Sequence, residues 1–505
     1  MSLAIKLLAA AKGRGNDDGV EVQAQVAQGV VVGRQEGDLA VFRGIPYAVA
    51  PVRFGAPQPP PAWSGQRPAR AFGPPPPQSG VVGDSESDGN DWLTVNVWSP
   101  DLTGSLPVMV WIQGGGYLFG TSGLPEYDGS RLADDGVVVV TFNYRVGFEG
   151  FGFIAGSPTN RGLLDQVAAL TWVRDNITAF GGNPRQVTVF GQSAGAGCLA
   201  ALLVMPRAQG LIHRAIVQSM PGAFFTPALA EDVTTAVAGE LGCAPKELAE
   251  LDPSMLTLAS DAVLGDMARH GDRWGRAAYA GIPYAPIVDG DTLPSTPWQG
   301  LDGSIDLIVG HTRHEQRLLT LMAGHLGMVT RAQCDESLAV FAPDPERYRD
   351  LWADPEECHE VVRSDWLFRM PSLKLAEAQV AAGGRAFLYE LTWPAPGMGG
   401  ALGACHGLDV PLVFGNLTAG ATAMLIGEPS AQAYALSEQM RSSWTRYAAT
   451  GDPGWSPFDG TTNGAVRVFD VEPSVTTYPE ADSRQIWASI VDLGALDLAS
   501  APVED

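Results

Sequence analysis

Apolar positions along this chain recur with two different periods. Short β-branched runs at residues 29–33, 39–42, 94–98, 108–112 and 137–142 are brief and nearly continuous, so they predict strands in the first third of the chain. Residues 51–77 are rich in proline, which donates no backbone hydrogen bond, and this connector is expected to lack regular structure. Over residues 162–180 the spacing changes. Leu163, Leu164, Val167, Leu170, Val173 and Ile177 recur at helical intervals, and Gly181-Gly182-Asn183-Pro184 ends the run. A strand is predicted at 187–190, a small-residue helix from 194, and another strand at 215–218. The chain is then helix-rich around 231–300, strands return at 305–310 and 386–391, and Leu436, Met440, Trp444 and Tyr447 mark a closing amphipathic helix stopped by Gly451-Asp452-Pro453.

Strands that alternate with helices argue for an α/β fold: a large, mostly parallel, twisted sheet flanked by helices, with helical insertions. No internal repeat and no linker interrupts the pattern. The expected organisation is a leader over residues 1–17, one domain over 18–490 with its helix-rich insertion around 231–300, and a tail over 491–505.

One segment carries chemistry. Gly191-Gln192-Ser193-Ala194-Gly195 stands directly behind the run Val187-Thr188-Val189-Phe190 and ahead of Ala196-Gly197-Cys198-Leu199-Ala200. A strand that stops at a serine and turns at once into a helix lifts the serine Oγ clear of the sheet, and glycine two positions to either side removes the Cβ atoms that such a turn would press together. Ser193 is thus the candidate nucleophile.

Serine needs a base, and the base needs a carboxylate to orient it. Among the seven histidines, His406 differs from the rest by standing in the small-residue loop Gly403-Ala404-Cys405-His406-Gly407, after the strand at 386–391. Glu315 follows the strand at 305–309 through the loop Gly310-His311-Thr312-Arg313-His314, where a strand C-terminus would present it at the edge of the sheet. The chain order serine, acid, histidine is that of α/β-hydrolases and of neither chymotrypsin-like nor subtilisin-like enzymes. Gly114-Gly115-Gly116, directly behind the strand at 108–112, offers unobstructed backbone N–H donors for an oxyanion.

Composition narrows the partners. Against 32 basic residues stand 56 acidic ones, a formal charge of −24 that repels phosphate backbones and anionic lipid, so neither nucleic acid nor membrane is an expected partner. No apolar run reaches the ~18 residues that span a bilayer. The apolar stretch within residues 1–12 is shorter than a secretory core. Cys198, Cys243, Cys334, Cys358 and Cys405 contain no CxxC pair and are odd in number, which indicates reduced thiols, with Cys405 as a small packing residue. A cytoplasmic location is expected, with secretion as the other reading, and no cofactor or metal is called for.

These residues carry a resemblance. The chain is similar to the type-B carboxylesterases, in particular the bacterial para-nitrobenzyl esterase branch of the cholinesterase-like α/β-hydrolases, over roughly residues 29–479. The match includes Phe42-Arg43-Gly44-Ile45-Pro46-Tyr47-Ala48, Asn96-Val97-Trp98, Asn143-Tyr144-Arg145, Asn160-Arg161-Gly162-Leu163-Leu164-Asp165 and Phe180-Gly181-Gly182-Asn183-Pro184. It implies a nucleophile at Ser193, an acid at Glu315, a base at His406 and oxyanion donors at Gly115, Gly116 and Ala194. It also implies pocket lining at Phe119, Met220, Phe224 and Phe225. The implied function is hydrolysis of small-molecule carboxylic esters, with short to medium acyl or aryl groups, by a monomer or weak homo-oligomer. Alternatives on the same triad are an amidase, a carbamate hydrolase or a deacetylase; a non-catalytic binding or adhesion module of the same fold is more remote.

The departures from the family pattern are specific. Gln113 stands where a histidine usually precedes the three glycines, and Gln192 replaces the glutamate common in cholinesterases. His314 replaces the usual aspartate beside the acid. Pro76 and Trp92 occupy the positions of an N-terminal disulfide in eukaryotic members, and the turn at 49–54 is about three residues short.

Overall fold

The computed structural model describes residues 20–50, 52–78 and 91–499. The expected leader at 1–17 and the end of the tail from residue 500 lie outside them.

Thirteen strands among the described residues form one sheet. They are β1 (Glu21–Val26), β2 (Gly29–Glu36), β3 (Leu39–Pro46), β4 (Gln66–Pro68), β5 (Thr94–Ser99), β6 (Leu106–Ile112), β7 (Val138–Phe142), β8 (Gly182–Gln192), β9 (Arg214–Gln218), β10 (Asp306–Thr312), β11 (Ala386–Leu391), β12 (Val466–Phe469) and β13 (Ser474–Thr476). Their order is β1-β2-β3-β5-β7-β6-β8-β9-β10-β11-β12-β13, with β4 beside β2. From β7 through β12 every pairing is parallel. On the N-terminal side β1, β2, β3, β5 and β7 pair antiparallel, as do β12 and β13 at the far edge.

Alternation along the central strands fills both faces of the sheet. Val108, Val110 and Ile112 enter one core with Val187, Val189, Leu307 and Val309. Met109, Trp111, Phe190 and Ile308 enter the other. With both faces covered, these strands read as unbroken apolar runs, which is why the short runs were visible in the sequence. The helix Ala194–Val204 covers the first face with small side chains buried from Ala194 to Leu202. The closing helix Ala431–Thr450 lays Leu436, Met440, Trp444 and Tyr447 on the second and ends at Gly451 in the left-handed conformation.

Two expectations need correction. The proline-rich connector contains β4, which runs parallel to β2 with Val30–Val32 opposite Gln66–Pro68; a three-residue strand needs few donors, and its proline stands at its end. Residues 182–184, expected only to end the preceding helix, open β8 instead: the helix Arg161–Asn176 tightens into the 3-10 turn Ile177–Phe180, and Gly181 reverses the chain at φ 75°. The parallel registers align Ile112 with Gly191, Gln192 with Gln218, and Gly310 with both Gln218 and Tyr389. The loops after β6, β8, β9, β10 and β11 therefore leave the sheet at one edge.

Candidate active site

Ser193 occupies the turn between β8 and its helix at φ 57°, ψ −130°, a conformation that costs a non-glycine residue energy. The turn is held from both sides. Ser193 N–H donates to the Gln218 carbonyl at 2.9 Å, and the Ser193 carbonyl accepts from Gly197 N at 3.0 Å. A Cβ on Gly191 would lie 2.8 Å from the Gly195 carbonyl carbon, and one on Gly195 only 2.1 Å from the Ile112 oxygen. Both flanking glycines are required because backbone, which cannot step aside, occupies the space.

The glycine run lies against this elbow: a Cβ on Gly114 would sit 2.8 Å from the Gln192 carbonyl oxygen and 3.1 Å from Ser193 Cβ. Gly115 and Gly116 follow at φ 118° and 61°. The Gly115 carbonyl accepts from Leu118 N and Phe119 N at 3.0 and 3.2 Å. Downstream, Gln78 clamps Gly120, accepting its N–H at 2.8 Å while Gln78 Nε2 donates to the Pro76 carbonyl at 3.0 Å. Gln113 anchors the loop through its backbone, since its carbonyl accepts from Tyr144 OH at 2.6 Å. Its side chain is fully buried with neither amide atom bonded to a protein partner.

Glu315 begins the helix Glu315–Met322 instead of standing in a loop, because β10 continues to Thr312. Its fully buried carboxylate meets His406 Nδ1 through Oε2 at 2.5 Å. Oε1 accepts from Thr312 N at 2.7 Å and Ser219 Oγ at 2.6 Å. Burial by itself would raise this carboxyl, but the facing His406 and the three hydrogen bonds outweigh it and hold the group below the ordinary glutamate value. An ionised Glu315 fixes the proton of the neutral imidazole on Nδ1 and leaves a lone pair on Nε2. That nitrogen lies 3.2 Å from Gln192 Nε2, and the ring packs against Phe368 with centroids 4.2 Å apart.

His314 splices the loops that carry Glu315 and His406. Its N–H donates to the Ala404 carbonyl at 2.8 Å, and its Nδ1 accepts from Ala404 N at 3.2 Å. Burial, reinforced by Arg317, pushes the imidazole down to about 3, so it stays neutral and able to accept. Cys405 is buried, its thiol pushed up to about 12 by burial, and it belongs to the second core. All five cysteines are unpaired.

The pocket candidates separate. Phe119 is partly exposed beside the glycine run, whereas Met220, Phe224 and Phe225 are core residues. Phe224 meets Trp298 edge-on at 5.5 Å, and the 224–226 backbone pairs with Ile287 and with Leu496 of the C-terminal segment. Sequence reading passed over Ser219, Thr312, Gln78 and the Gln192–His406 contact. Ser219 follows the end of β9, so strand order would have pointed to it. Among the described residues no group of His, Cys, Asp or Glu could hold a metal ion, and no helix is long and apolar enough to cross a membrane.

The fold is that of the α/β-hydrolase class. Comparison with known proteins places it further. The carboxylesterase family profile matches residues 20–344, and the chain belongs to that family. It is 35% identical over 483 residues to the para-nitrobenzyl esterase of Bacillus subtilis (strain 168), covering 90% of this chain and 96% of that protein. It is 34% identical over 463 residues to the phenmedipham hydrolase of Pseudarthrobacter oxydans, covering 85% and 90%. A solved structure of a PNB esterase superposes with a TM-score of 0.82 at 32% identity, over 92% of this chain and 99% of that one.

Proposed function

We propose that the chain hydrolyses carboxylic esters through an acyl-enzyme on Ser193. His406 Nε2 takes the serine proton and returns it to the leaving alcohol, Glu315 holds the imidazole in the productive tautomer, and water then releases the acyl group by the same route. The backbone N–H groups of Gly115, Gly116 and Ala194 receive the oxyanion; one such donor is typically worth about 2.7–4 kcal/mol of transition-state stabilisation. The observation that carries the reading is the 2.5 Å contact of His406 Nδ1 with the buried carboxyl of Glu315, at the sheet edge where Ser193 sits in its strained turn.

The substrate class is a small ester with a short to medium acyl or aryl group, with Phe119 as pocket lining. Met220, Phe224 and Phe225 would shape that pocket from behind. The domain is a single catalytic unit over residues 18–490, acting as a monomer or weak homo-oligomer in the cytoplasm, a location supported by the five unpaired cysteines. Ser193→Ala is expected to abolish hydrolysis of a short p-nitrophenyl ester while the far-UV circular dichroism stays unchanged. Turnover that survives the substitution would sink the assignment.

A further inference from the structure

The donors assigned to the oxyanion stand on two separate elements, Gly115 and Gly116 on the loop after β6 and Ala194 on the helix after β8. A run of three glycines has no side chain with which to fix itself, so its position is imposed from its ends. Tyr117 is the first side chain beyond the run. It is buried at 2% exposure, at φ 63°, a left-handed conformation that costs a non-glycine residue energy. Its carbonyl accepts from Gly147 N at 2.6 Å, and its ring meets Phe151 edge-on with centroids 5.2 Å apart. The hydroxyl of that ring accounts for a glycine on the other element. Gly197 lies inside the helix Ala194–Val204, where glycine is less favourable than alanine. A Cβ there would lie 2.1 Å from Tyr117 OH and 3.3 Å from its Cζ. The missing methyl is the seat of the hydroxyl, which has no hydrogen-bond partner among the described residues and is held by packing. Gly197 N donates to the Ser193 carbonyl at 3.0 Å, so this seat lies one helical turn behind the nucleophile.

We infer that Tyr117 is a positioning residue of the oxyanion hole: seated on Gly197, it sets how far the N–H groups of Gly115 and Gly116 stand from that of Ala194. The inference rests on the assignment of those three donors. The other end of the glycine run is held independently, by Tyr144 OH on the Gln113 carbonyl at 2.6 Å. Loss of the seat therefore frees one end of the run and leaves the other in place. The donors remain, but they are no longer spaced for one oxygen, and the interaction is weakened in the transition state where the charge develops.

The test compares kcat/KM for p-nitrophenyl acetate with that for its thiono analogue, in which sulfur replaces the carbonyl oxygen. Backbone N–H donors favour an oxyanion over sulfur, the weaker acceptor, and the ratio of the two constants does not depend on how much of a variant is folded. In Tyr117→Ala the ratio is expected to fall about tenfold, less than the roughly 10^2–10^3-fold that follows removal of a donor outright. Gly197→Ala fills the seat and should lower the ratio as well. Tyr117→Phe/Gly197→Ala should recover part of that loss, because the added methyl then takes the place of the missing hydroxyl. A ratio unchanged in either single variant, or a loss in Gly197→Ala that Tyr117→Phe does not relieve, overturns the inference. Where circular dichroism shows Tyr117→Ala unfolded, Gly197→Ala and the double variant decide alone. A parent ratio near one overturns the assignment of the donors themselves, whereas a high parent ratio that no variant moves overturns only the role of Tyr117.

Discussion

The two sides of the site are built by different means. On the donor side, the glycine run after β6 and the elbow after β8 touch through backbone, with Gly195 against the Ile112 oxygen and Gly114 against the Gln192 oxygen. On the base side, Glu315 and His406 stand 91 positions apart and meet through side-chain hydrogen bonds, seconded by Ser219 and by the His314 splice. The donor side is therefore sensitive to volume and indifferent to pH. The base side answers to charge.

The largest effect that this contrast predicts is on the base side. In Glu315→Gln, Oε1 keeps its bonds from Thr312 N and Ser219 Oγ, but an NH2 group then faces His406 Nδ1. That forces the proton onto Nε2 and removes the lone pair the serine needs. A fall in kcat of roughly 10^3–10^4-fold is expected with little change in melting temperature, by analogy with the wrong-tautomer variant of a serine protease. A loss below tenfold in single-turnover assays would break the assignment of Glu315.

On the donor side, Gly195→Ala sets a Cβ 2.1 Å from the Ile112 oxygen and 2.7 Å from the Gln113 oxygen. Neither backbone atom can yield without moving the end of β6. Overpacking of this kind costs typically about 1–3 kcal/mol, and the upper end is expected here. Urea denaturation should show the loss, and the deficit should be the same at pH 6 and pH 8 because no titrating group is involved. A deficit that grows with pH would erase the distinction between the two sides.

The sequence revealed these two sides unequally, for a physical reason. The elbow and glycine run are local: each needs a strand, a sharp turn and missing Cβ atoms within a few residues, so Gly191 to Gly195 and Gly114 to Gly116 were readable as they stand. His406 and Glu315 were legible through their loop positions and chain order, but their surroundings were not. Ser219 on Glu315, Gln78 on Gly120 and Gln192 on His406 depend on which strand ends lie side by side, and periodicity carries no strand order. β4 was missed because a short strand needs only a neighbour with free donors, and proline content says nothing about the neighbour. His314 read as a departure beside the acid; only the fold shows it joined to Ala404.

The smallest effect concerns a carboxylate one layer behind the base side. Glu360 is buried on the helix Pro355–Ser364, and its Oε1 accepts from Ser364 Oγ at 2.7 Å and from Gln316 N, the residue after Glu315, at 3.2 Å. Burial pushes its carboxyl up to about 7, against an ordinary value of 4.5, and the hydrogen bonds offset this only in part. Between those two values the folded protein keeps a proton that the unfolded chain has released, so stability falls as pH rises through this window and stays lower above it. Glu315 runs the other way. Its lowered carboxyl adds stability above the ordinary glutamate range, and that stability is lost as pH falls through its folded value. Glu360→Gln cannot titrate, and its amide oxygen can still accept from Gln316 N. The variant is expected to match the parent near pH 4.5 and to exceed it by roughly 3 kcal/mol at pH 8, read from urea midpoints at both values. A constant difference between the two would mean that Glu360 is already ionised in the folded state, and it would then add nothing to the pH sensitivity of the base side.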